Sequence, residues 1–123
     1  MRDERQLLGL ESEQVAERYL HKNGYRILER NVRSRQGELD MVALQGEVLV
    51  FCEVKSRRGA FGPDPAENLH ARKQARLVRL AAAYLQRHPE HAGRECRFDA
   101  VLLWKKGIFW QVAVIADAFR PGW

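Results

Sequence analysis

The chain has 123 residues, 46% hydrophobic and 30% charged, a balance expected of one domain spanning 1–123 that buries roughly two thirds of its unfolded surface. Lys and Arg outnumber Asp and Glu by 21 to 16, a formal net charge of +5, which favours an anionic partner. No apolar run approaches the ~18 residues of a membrane span, the polar opening lacks the apolar core of a secretory signal, and repeats and low-complexity tracts are absent; the expectation is a continuously folded cytoplasmic protein.

Over residues 7–23, Leu8, Val15, Ala16, Tyr19 and Leu20 recur at helical spacing and Asn23-Gly24 supplies a stop, which predicts an amphipathic helix. Residues 25–30, 38–44 and 48–55 are short runs rich in β-branched or aromatic side chains, broken by Arg/Ser/Gln/Gly and by Gln45-Gly46; they predict three strands in a meander. Gly59, Gly62, Pro63 and Pro65 make 56–68 a surface loop of a length that often touches ligands. A second helix is expected over 69–88, its apolar face built from Ala75, Leu77, Val78, Leu80, Tyr84 and Leu85, before Pro89 ends it. Residues 97–104 and 108–115 then flank Lys105-Lys106-Gly107 as a closing hairpin. The predicted order is αβββαββ.

In the third predicted strand Val48, Val50, Cys52 and Val54 form one wholly apolar face. The other face is apolar at Leu49 and Phe51, then charged at Glu53 and Lys55, where a sandwiched strand would leave the core. Glu38 and Asp40 are expected to share a face with Val42 and Leu44, the same change in reverse, so the two strands read as antiparallel. A two-residue turn at Gln45-Gly46 sets Asp40 opposite Phe51 and diagonal to Glu53; a four-residue loop sets it directly opposite Glu53; a three-residue loop without a bulge separates the two acids onto opposite faces.

Two carboxylates held close raise each other's pKa unless a cation neutralises them, and magnesium takes one or two protein carboxylates while keeping several waters. Asp40 and Glu53 are therefore candidate ligands of a divalent metal, with Lys55 placed to orient or deprotonate a water or to neutralise charge on a phosphate. The plain structural alternative is an ordinary Glu53–Lys55 ion pair at a strand end with Asp40 beside it. Glu13 alone lies at the margin of the first helix's apolar stripe and reads as solvated. Cys52 and Cys96 lack zinc spacing and are expected to be buried free thiols; the four histidines are expected at the surface, and Trp104, Trp110 and Trp123 in packing.

Gly37-Glu38-Leu39-Asp40 followed by Phe51-Cys52-Glu53-Val54-Lys55-Ser56-Arg57 resembles the core of the PD-(D/E)xK nuclease superfamily. With Gly9, Ser12-Glu13, Ala16, Tyr19-Leu20, Gly24-Tyr25, Asn31, Phe61-Gly62, Lys73, Arg97-Phe98-Asp99 and Ala118-Phe119, the chain is similar almost end to end to the bacterial UPF0102 (YraN-like) family, which itself resembles archaeal Holliday junction resolvases. The resemblance implies an α/β, restriction-endonuclease-like three-layer fold, a central mixed sheet flanked by helices. By motif position it implies Asp40, Glu53, Lys55 and Glu13 as catalytic residues, with Asp40, Glu53 and Glu13 around Mg²⁺ or Mn²⁺. The usual Pro ahead of the first Asp is replaced here by Gly37-Glu38, and Cys52 and Ser56 stand where Val and Thr are more usual.

Arg72, Arg76 and Arg79 follow i, i+4, i+7 spacing in a helix that carries Lys73 and no acid, while Arg33 and Arg35 precede the carboxylates and Arg57 and Arg58 follow Lys55. These eight are candidate phosphate contacts. The expected function is metal-dependent endonucleolytic hydrolysis of phosphodiesters, most naturally in DNA. Competing readings are a non-catalytic nucleic-acid-binding module and a protein-interaction domain with a satisfied ion-pair network. The resolvase resemblance makes branched or repair-intermediate DNA and a homodimer the states to test.

Overall fold

The computed structural model describes residues 3–58 and 71–122, apart from the side chains of Arg5 and Arg58. Helix α1 (Glu4–Lys22) starts ahead of its apolar repeat because Asp3 and Gln6 close a capping box: the Asp3 carboxylate accepts the Gln6 N–H at 2.8 Å and the Gln6 side chain accepts the Asp3 N–H at 3.0 Å. Gly24, at φ 87, reverses the chain into β1 (Tyr25–Ser34). The remaining elements are β2 (Gly37–Gln45), β3 (Val48–Arg58), α2 (Ala71–Arg87), a 3₁₀ turn (Pro89–His91), β4 (Cys96–Lys106) and β5 (Phe109–Phe119).

The sheet order is β1-β2-β3-β4-β5; β3 and β4 are parallel and every other neighbour is antiparallel. A parallel pair needs a crossover, and α2 supplies it. The helices lie on opposite faces. On one, Ala16 and Leu20 of α1 pack with Met41, Ala43, Val50, Cys52, Val101 and Leu103; on the other, Leu77, Leu80, Ala81 and Tyr84 of α2 pack with Leu39, Val42, Leu49, Phe51 and Phe98. Burial from both sides explains why β3 and β4 read as nearly continuous apolar runs. The result is the three-layer α/β fold with a mixed sheet and αβββαββ order that the sequence predicts. Among the described residues no helix is long and apolar enough to cross a membrane.

Several boundaries differ from expectation. β1 continues through polar residues to Ser34 because the ladder with β2, ending at Ser34↔Gly37, holds it extended regardless of side-chain preference. β3 continues through Ser56 and Arg57 to Arg58, paired to Leu103, Trp104 and Lys105, so the proposed loop begins later; its remainder lies outside the described residues. The β4–β5 turn is Gly107-Ile108 rather than Lys105-Lys106-Gly107, since Lys106 still pairs with Phe109. His91 is not at the surface: it is 8% exposed, with its ring 6.3 Å from that of Tyr84 and its Nδ1 accepting from Arg94 Nε at 3.1 Å. Cys52 and Cys96 are buried and free as expected, Trp104 is buried, and Trp123 lies outside the described residues.

One buried acid ties four strands together. Asp99 on β4 is 1% exposed and accepts from the Tyr25 hydroxyl at 2.6 Å, from Arg97 at 3.0 and 3.2 Å, and from the Asp117 backbone N–H at 2.8 Å. Arg97 also donates to Gln45 at the end of β2. Asp117 holds a left-handed φ of 55, which fits the register shift of β5 against β4 at this point. Burial and the Asp99 carboxylate push the Tyr25 phenol up to about 12, so it remains a donor across the physiological range. Removing a partner from such a network leaves buried polar groups unsatisfied. Urea unfolding is expected to show a loss of about 3–5 kcal/mol for Asp99→Ala and about 1–3 kcal/mol for Tyr25→Phe.

Candidate functional site

The two central hairpin strands pair from Gln45↔Val48 to Met41↔Cys52. Their turn is Gly46-Glu47, one residue later than expected, with Gly46 at φ 59. This register makes Asp40 and Glu53 the next pair, the arrangement expected of the longer loop, but the ladder stops there. β2 keeps its partner β1 on one side and β3 keeps β4 on the other, so a fork opens between them. The Asp40 carboxylate closes its base by accepting the Val54 backbone N–H at 2.7 Å.

The strand alternation breaks at the same point. Leu39 and Val42 both pack toward α2 although three positions apart, so Asp40 does not simply share the face of Val42 and Leu44 as expected. Asn31, which the β1–β2 register sets opposite Asp40, has φ 53, a conformation Asn tolerates better than most residues. Its side chain hydrogen-bonds Glu13 of α1. Asn31 was visible in the sequence only as part of the family pattern; the absence of β propensity inside a strand was the one local signal.

Four acids meet at the fork, three with their own partners. Glu53 pairs with Lys73 of α2 at 2.8 Å, Glu38 with Arg33 at 3.5 Å, and Glu13 with Asn31. The ordinary strand-end pair Glu53–Lys55 does not form; α2 reaches across instead. Among the described residues Asp40 has only the Val54 N–H. Burial first, then the charges of Glu53, Glu13 and Glu38, raise its pKa to about 7 against that one hydrogen bond. Glu13 is raised too, chiefly by burial. Lys55 lines a cleft of about 750 Å³ with Glu4, Leu8, Gly9, Val54, Ser56 and Arg57, and makes no ion pair among the described residues.

The fold thus gathers Glu13, Asp40 and Glu53 into one electrostatic cluster and puts Lys55 on the adjoining cleft. Among the described residues no three His, Cys, Asp or Glu side chains stand in an arrangement that could hold a metal ion. What the cluster does offer is two neighbouring carboxylates, Asp40 and Glu53, of the type and number magnesium accepts from protein.

The candidate phosphate contacts divide. Arg72, Arg76 and Arg79 are exposed along α2, and the Arg76 stem passes over Gly37, where an added Cβ would lie 4.0 Å from its Cδ. Arg35 is exposed in the β1–β2 turn and Arg33, though paired with Glu38, is 82% exposed. Arg57 is half-buried at the cleft, and the Arg58 side chain lies outside the described residues. Lys73, its side chain 14% exposed, is bonded to Glu53 and so lies within the acidic cluster. Its sequence signal was weak, because helical spacing separates it from Arg72, Arg76 and Arg79 without saying which acid it meets.

The family described as Uncharacterised protein family UPF0102 matches residues 12–103, a span that includes all four proposed site residues. A UPF0102 protein of Magnetococcus marinus is 47% identical over 115 residues, covering 94% of this chain and 93% of its own. One from Frankia alni is 51% identical over 96 residues, covering 78% and 79%, and one from Methylobacillus flagellatus 44% identical over 115 residues, covering 91% and 96%. The chain belongs to the UPF0102 family. Among solved structures, Pyrococcus furiosus SfsA in complex with Ca²⁺ matches with 16% identity and a TM-score of 0.32, over 92% of this chain and 63% of that one.

The raised Asp40 pKa makes stability pH-dependent with a definite sign. An unfolded Asp loses its proton near the ordinary 3.8 while the folded one keeps it to about 7, so the folded state binds more protons in that window and stability falls as pH rises through it. In EDTA, Asp40→Asn is expected to gain thermal stability on wild type between pH 5 and pH 8. Parallel melting curves across that range would remove Asp40 as the titrating group.

Proposed function

We propose that this protein is a metal-dependent endonuclease that hydrolyses phosphodiester bonds in DNA, acting on branched or repair intermediates in the cytoplasm. The observation that carries the reading is the fork: buried Asp40 is left beside the charge of Glu53 where β2 and β3 separate, on a rim of the sheet bordered by exposed arginines. A polyanion would be repelled by the acids alone, and the flanking cations together with an ion at the carboxylates reverse that sign.

In this reading Asp40 and Glu53 hold Mg²⁺ or Mn²⁺, with Glu13 supporting the shell; the ion, when bound, polarises a phosphate oxygen and acidifies a water. Lys55, on the adjoining cleft, orients that water or neutralises charge that develops on the phosphate. Arg72, Arg76 and Arg79 hold the backbone on the α2 side, and Arg33, Arg35, Arg57 and Arg58 supply further phosphate contacts. Lys73 holds Glu53 in place until an ion competes for it.

The Lys73–Glu53 pair also favours a second reading, because a carboxylate already satisfied by a lysine suits a nucleic-acid-binding module of the same fold that does not cleave. Incubation of wild type and Asp40→Asn with single-stranded, duplex, flap and four-way-junction DNA, and with RNA, in Mg²⁺, Mn²⁺ or EDTA separates the two. The nuclease reading expects metal-dependent cleavage that Asp40→Asn and Glu53→Ala abolish and Lys55→Ala slows by about 10²-fold or more, without much lowering of melting temperatures. Binding without cleavage under every condition would select the non-catalytic module. Loss of fold in Asp40→Asn would return the acids to a structural role.

A further inference from the structure

The two most exposed large apolar side chains among the described residues are adjacent: Ile108 is 84% exposed and Phe109 75% exposed. They sit at the tip of the β4–β5 hairpin, whose first turn residue, Gly107, has φ 63. The pair just below the tip is clamped. Glu11 of α1 accepts from Lys105 Nζ at 2.7 Å and from the Trp110 indole N–H at 2.9 Å, and the Lys105 ammonium lies 5.5 Å from the Trp110 ring. An apolar pair carried on a rigid stem is preorganised for insertion, since little conformational entropy remains to be lost.

The parallel register fixes where the tip stands. Lys55 is level with Leu102 and Arg58 with Lys105, so the tip leaves the sheet at the rim where the Lys55 cleft opens, about 13 Å beyond Lys55 at ordinary strand rise. That distance is about four base steps of a duplex. Lys106, exposed and without an ion pair among the described residues, stands beside the apolar tip.

We propose that Ile108 and Phe109 form a wedge that enters a base step of bound nucleic acid and unstacks it beyond Lys55, about 20 Å along the strands from the Asp40–Glu53 fork. The inference rests on the nucleic-acid reading of that fork and adds to it a preference for DNA whose stacking is already interrupted, at a branch or an end. Apolar side chains inserted between bases beside phosphate-binding cations are a recurring way of opening a duplex, and the cost is least where pairing is already broken. The charge around the tip selects this occupant over a second copy of the chain: two tips meeting symmetrically would set Lys106 against its counterpart.

The test uses the full-length protein in EDTA at low salt, with a forked DNA carrying 2-aminopurine at the branch point and a matched continuous duplex. Wild type is expected to raise 2-aminopurine fluorescence on the fork. The double variant Ile108→Ser, Phe109→Ser is expected to lose that rise and about tenfold in fork affinity while its duplex affinity stays the same. A single variant, Phe109→Trp, provides an independent readout: indole quenching on the fork that exceeds any change in wild type. Equal fork affinity and fluorescence in wild type and the double variant would overturn the wedge. So would a sedimentation shift of the free protein, which would make the tip a self-association contact, or a loss of binding to anionic vesicles, which would make it a lipid contact. Cleavage in Mg²⁺ that persists in the double variant with an unchanged 2-aminopurine response refutes the wedge alone. Unstacking without cleavage by wild type refutes the catalytic reading alone, and failure of wild type to bind either DNA refutes both.

Discussion

The hydrogen bond from the Val54 N–H to the Asp40 carboxylate is the point at which the sheet stops being uniform. Up to Met41↔Cys52 the two central strands satisfy each other; beyond it a side chain replaces a backbone carbonyl as acceptor and the strands diverge. A ladder that continued past this pair would have left no opening between β2 and β3. The fork creates the opening, and the same carboxylate is left among like charges at its base.

Two aspartates in this sheet show how environment alone assigns different roles to one side chain. Asp99 is sealed among Tyr25, Arg97 and the Asp117 backbone, with donors enough for both oxygens, and joins β1, β4 and β5. Asp40 has one backbone donor and three acidic neighbours. The first arrangement is closed and stabilises; the second is poised to accept a cation. They lie only a strand apart, with Cys52 between them: it is level with Asp99 on β4, opposite Met41 on β2, and its thiol is pushed up by burial and by both carboxylates.

The fold also sorts polarity along the strands. At the end where β3 and β4 begin, apolar layers close on both sides; at the end where β3 terminates stand the acidic fork, Lys55, the exposed arginines of the β1–β2 turn and the β4–β5 tip. Ligands of α/β sheets commonly bind beyond the carboxyl ends of parallel strands, and here the parallel pair β3–β4 points its carboxyl ends at this rim.

Much of this was legible from residues alone. Element order, the meander and the double-sided burial of β3 follow from patterns of period 2 and 3.6, which reflect local geometry and do not need the rest of the chain, whereas Glu13 joined the other acids only through the family resemblance. Register did not follow: the turn at Gly46-Glu47 rather than Gln45-Gly46 changes which residue faces Asp40, and hydrophobic alternation cannot reveal a break that Asn31 and Asp40 introduce together. Nor did the partner of Glu53, because Lys73 arrives from a helix on the other side of a long connection. Sequence by itself determined which chemistry-bearing groups the chain owns and which strands carry them, since backbone preference and solvent partition act residue by residue. Only the tertiary structure decided which charges are matched and which is left over, because that depends on distances between elements that are remote along the chain.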